Sequence, residues 1–74
     1  MREAGTIRER IYQALIKRYT AAQEDALVKI DALLTSHWVM PDHADLTGQI
    51  DKLLAKVAEA AEKMATLRRF YGTN

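Results

Sequence analysis

Apolar residues recur along this chain at steps of three and four, in two long runs separated by one punctuated stretch. That spacing lines one face of an α-helix, whereas a strand would alternate. The first run is Ile7, Ile11, Leu15, Tyr19, Ala22, Ala26, Ile30, Leu33 and His37. Thr6 and Glu9 fit a capping box at its start: the hydroxyl accepts from the Glu9 N–H and the carboxylate reaches back to the Thr6 N–H. A helix is therefore expected from Ile7. No Gly or Pro interrupts the run before Pro41, and some thirty residues make a rod of about 45 Å.

Pro41 has no N–H and drives Met40 out of the helical region, so the first helix should end a few residues earlier. Asp42 then suits the N-cap of a second helix, with Asp45 near its positive end; Thr47, before Gly48, is a competing cap. The second run, Leu46, Ile50, Leu53, Val57, Ala60, Met64, Leu67 and Tyr71, follows an unbroken heptad of alternating steps of four and three. Gly72 is the expected stop, and Arg68 and Arg69 place positive charge where the helix dipole favours it. The expected fold is all-α, a single domain over 1–74. Helix 1 covers about 7–35, the turn about 36–42 and helix 2 about 43–71, forming an antiparallel hairpin.

Both helices carry more apolar surface than one contact uses. Beside its seam the second helix has Leu54, Ala58, Ala61 and Ala65, displaced by one residue, about 100° around the axis. The first helix adds Tyr12, Ile16, Leu27 and Leu34. Stripes this wide belong to helices with two neighbours. The hairpin is therefore expected to be completed as a four-helix bundle, by dimerisation or by a helical partner. The alternative is that the alanines serve helix propensity on a solvated face.

Length sharpens that expectation. At 74 residues with 49% apolar content and 0 Cys, the chain has the size at which a single core is marginal and a staple is usual. Disulfides are absent from the sequence. His37, His43, Asp42 and Asp45 include metal-ligand types, but their spacing matches no common structural site, so no metal or other cofactor is expected. No Gly-rich phosphate loop, GxSxG, HExxH or Cys nucleophile is present. Ser36, His37 and Asp42 contain the types of a hydrolase triad, yet neighbours at a helix end are better read as turn residues satisfying local backbone groups. Glu24, Asp25, Glu59 and Glu62 fall on faces expected to be solvated, with Asp25–Lys29 and Glu59–Lys63 at ion-pair spacing. No catalytic residue is assigned and the expectation is a protein that is not an enzyme.

Net charge is only +1, so its distribution matters more than its sum. Residues 1–22 and 57–74 together hold eight basic and four acidic side chains, and residues 23–56 hold three basic and six acidic. An antiparallel hairpin is thus basic at its open end and acidic toward its turn. Antiparallel assembly of two copies would pair those ends. The basic set Arg8, Arg10, Lys17, Arg18, Lys63, Arg68 and Arg69, interleaved with tyrosines, is a candidate nucleic-acid surface. Trp38 and Met40 make the turn apolar; they either cap the hairpin core or dock a partner.

The opening Met1–Gly5 stretch leads into no apolar run and no segment has transmembrane length, so a soluble, cytoplasmic protein without a secretory leader or membrane partner is expected. In helices, turn and length the chain resembles the plasmid copy-control RNA-binding dimers of the ROP type and the small helical proteins of type III secretion. No motif residue is shared that would carry a site over. The leading expectation is a small helical protein–protein interaction module, an adaptor, co-chaperone, inhibitor or assembly subunit. It acts through Ile16, Leu27, Trp38, Met40, Leu54, Ala58, Ala61 and Ala65 on its own copy or a helical partner. The alternative is a ROP-type RNA-binding hairpin dimer using the basic open end.

Overall fold

The computed structural model describes residues 5–35 and 43–72. Two helices, α1 (Ile7–Thr35) and α2 (His43–Tyr71), pack against each other along their lengths, and no strand occurs among the described residues. The start of α1 is built by its cap. Thr6 Oγ1 accepts from the Glu9 N–H at 3.1 Å, and the Thr6 carbonyl accepts from Arg10 N at 3.0 Å, which satisfies donors that a helix start leaves open. Gly5 enters the cap with a φ of 72°, and the Glu9 carboxylate lies where a Cβ on Gly5 would stand. The positive φ is what favours glycine there. At the other end the Thr35 hydroxyl donates to the carbonyls of Asp31 at 2.9 Å and Ala32 at 3.3 Å. Helix α2 closes with Gly72 N donating to the Arg68 carbonyl at 2.9 Å. A Cβ at Gly72 would come 2.5 Å from that same oxygen, so the helix stops at a residue without a side chain.

The seam of α2 follows its heptad from Leu46 to Leu67, with Ala60 and Met64 buried and Leu46, Ile50, Leu53, Val57 and Leu67 half-buried. Tyr71, expected to continue it, is exposed. The seam of α1 departs further from expectation. Ile7, Ile11 and Ala22 are exposed, while Tyr19, Ala26, Ile30 and Leu33 turn inward as expected and Tyr12, Ile16 and Gln23 join them, so the seam runs through Tyr12, Ile16, Tyr19, Gln23, Ala26, Ile30 and Leu33. Those positions also alternate steps of four and three. The reason is Gln23, which an apolar count passes over. Its Nε2 donates to the Val57 carbonyl of α2 at 3.0 Å, so a polar residue occupies a seam position with its amide satisfied. Leu15 is half-buried at the seam's edge.

The outcome is a single layer of helix, with principal extents of 53 × 26 × 15 Å. Only Ala26, Ile30, Ala60 and Met64 are buried among the described residues. A stable domain normally encloses its core between two layers. Here one side of each helix is used and the remaining apolar surface faces outward.

Candidate interaction face

One residue of advance turns about 100° around a helix axis. The residues that follow each seam position therefore make a second row on each helix. On α2 that row is Asp51, Leu54, Ala58, Ala61, Ala65 and Arg68; on α1 it is Lys17, Thr20, Glu24, Leu27, Asp31 and Leu34. Two antiparallel helices whose seams face each other turn toward the same side when each is followed in its own N-to-C sense. Both rows thus lie on one face of the hairpin. Every residue in them is exposed, Leu27 at 45% and Leu54 at 50%.

The α2 row is apolar from Leu54 to Ala65, and its alanines leave room for another backbone to approach closely. On α1 the row is mixed, with Thr20 and Leu27 between charged residues. Thr20 reaches back over the seam, its Oγ1 lying 3.6 Å from Met64 Sδ. Ile16, expected on this face, is half-buried and sits in the hairpin seam itself, at the edge of the face. Trp38 and Met40 lie outside the described residues. So do Ser36, His37 and Asp42, which are the whole candidate triad and include two of the four residues of the candidate metal cluster; of the others, Asp45 is exposed in the first turn of α2. Among the described residues, no group of three or more His, Asp or Glu side chains gathers in a way that would hold a metal ion.

Charge is divided between the two faces. The interaction face carries Glu24, Asp31 and Asp51 toward the turn and Lys17 and Arg68 toward the open end. The opposite face holds Lys29, Lys52, Lys56 and Lys63. There Lys29 pairs with Asp25 at 3.1 Å and Lys63 with Glu59 at 3.4 Å, the two i,i+4 pairs that the sequence spacing implied. Lys63 Nζ also lies 5.7 Å from the centre of the Tyr19 ring.

The seven residues of the candidate nucleic-acid surface are all exposed, but they ring the open half of the hairpin. Lys17 and Arg68 belong to the interaction face, Arg18 and Lys63 to the opposite one, Arg10 and Arg69 to the outer sides, and Arg8 to the open tip. The tip also holds an open groove of about 500 Å³ lined by Ile11, Tyr12, Leu15, Leu67, Phe70 and Tyr71. Arg69 stacks beside Phe70, its Cζ 5.4 Å from the ring centre.

Sequence reasoning passed over Thr20, Glu24, Asp31 and Asp51 as members of this face. For Thr20, Asp31 and Asp51 the signal was available, since each stands one residue beyond a seam position read from the sequence, as Leu54 and Ala58 do; Glu24 follows Gln23, which only the structure places in the seam. An apolar count leaves them out because three of them are charged. The chain has no significant match to any family model, curated protein or solved structure. No helix among the described residues is long and apolar enough to cross a membrane.

Proposed function

We propose that this chain is a non-enzymatic, cytoplasmic interaction module that works by burying the face of Leu27, Leu54, Ala58, Ala61 and Ala65 against other helices. One observation carries the reading. Among the described residues only four side chains are buried, while Leu27 and Leu54 stand 45% and 50% exposed beside the alanine row on one side of the hairpin. A second apolar stripe of this kind belongs to helices with two neighbours, and the stretch from Leu54 to Ala65 with Leu27 is where another helix can be laid without rearranging the seam.

A photo-reactive benzophenone residue introduced at Ala61, in the full chain and in cells expressing it, tests the reading. Covalent adducts should form from position 61 and not from Val28, which is also exposed but stands on the far side of α1 from the seam. Equal labelling from both positions, or none from 61, would show that the face meets solvent only.

A further inference from the structure

We infer that the occupant of this face is a second copy of the chain, laid antiparallel about a two-fold axis that crosses the helices at the level of Ala58 and Ala61. The inference rests on the reading that the face is an interface, and it adds the partner and the register.

The spacing of the α2 row is the first argument. Asp51, Leu54, Ala58, Ala61, Ala65 and Arg68 are separated by three, four, three, four and three residues, a series that reads the same in both directions. A two-fold interface requires that if residue i meets j, then j meets i. Reversing this row on itself sets Ala58 against Ala61 of the second copy, Leu54 against Ala65, and Asp51 against Arg68. Small meets small at the centre, large meets small beyond it, and opposite charges close both ends.

The row on α1 agrees independently. The Gln23–Val57 hydrogen bond and the Thr20–Met64 contact bracket the part of α1 level with Ala58 and Ala61, so the same axis passes between Ala21 and Glu24. Reversal about that level sets Lys17 between Glu24 and Asp31 of the second copy. Both helices then contribute opposite-charge contacts, each occurring twice by symmetry. The parallel alternative, with the axis along the helices, lays α1 of one copy on α2 of the other at equal height. It brings Asp31 beside Asp51 and the two basic open ends together, an arrangement that like charges oppose.

Charge reversal and cross-linking test the proposal together. Asp51→Arg and Arg68→Asp, each made alone in a chain whose helicity is confirmed by circular dichroism, should each weaken the dimer by about tenfold or more. The double variant should return its dissociation constant to within about threefold of the parent, because the pair is restored with its sign exchanged. Rescue cannot arise within one chain, where the two residues lie about 25 Å apart on a single helix. The native sequence has 0 Cys, so an equimolar mixture of Ala58→Cys and Ala61→Cys chains should form a mixed disulfide. A mixture of Leu27→Cys and Leu54→Cys, which reports the parallel arrangement, should not. Failure of the rescue or dominance of the second cross-link overturns the antiparallel register. An adduct from benzophenone at position 61 with a mass other than twice the chain overturns the second copy while leaving the interface reading intact. No adduct at all removes both.

Discussion

Gln23 shows how much one side chain decides here. A polar residue in a heptad seam is retained where it fixes register, and the Gln23 amide does so by donating to a carbonyl of the facing helix. Replacing it by Ala should cost about 1 kcal/mol in urea unfolding, the net worth of a typical intramolecular hydrogen bond. Gln23→Leu should keep or raise stability while loosening register, seen as broadened amide resonances along the seam. The cap at Thr6 is a second point of leverage. Thr6→Ala should remove about 1 kcal/mol and accelerate amide exchange at Glu9, whose N–H the hydroxyl accepts.

At the scale of the helices, α2 was legible up to Leu67 and α1 in part, since Leu15, Tyr19, Ala26, Ile30 and Leu33 are buried or half-buried as expected. The heptad of α2 is apolar at every seam position through Leu67, so periodicity alone locates its inward face. On α1 two faces compete, one through Ile7, Ile11 and Ala22 and the other through Tyr12, Ile16 and Gln23. The first is more apolar by count, yet its members are exposed, because the second keeps a steady step of four and three opposite α2 and supplies the Gln23 bond. Two matched substitutions test this. Ala26 is 1% exposed, so Ala26→Leu should overpack the seam and cost about 1–3 kcal/mol. Ala22→Leu, on the exposed face, should change stability by less than about 0.5 kcal/mol. The reverse order of effects in thermal or urea denaturation would place Ala22 rather than Gln23 in the seam.

For the whole molecule, thinness is the governing property: a 15 Å slab with four buried side chains among the described residues resembles half of a two-layer core. If the second half is another copy, folding and association are linked. The unfolding midpoint should then rise with protein concentration, and it should fall as added salt screens the Asp51–Arg68 pairs and the contacts of Lys17 with Glu24 and Asp31. A midpoint independent of concentration between about 1 and 100 μM would mean that the hairpin stands alone. The sequence by itself determined that the chain is helical, where α2 places its seam, and that more apolar surface exists than one hairpin contact consumes. These follow from local rules, because periodicity and caps act within a few residues. Only the tertiary structure decided that Tyr12 and Ile16 rather than Ile7 and Ile11 turn inward, that Gln23 belongs to the seam, and that the second rows of the two helices share one side. Those facts depend on how two axes are set against each other, and that setting comes from contacts between residues more than thirty positions apart, such as Gln23 with Val57.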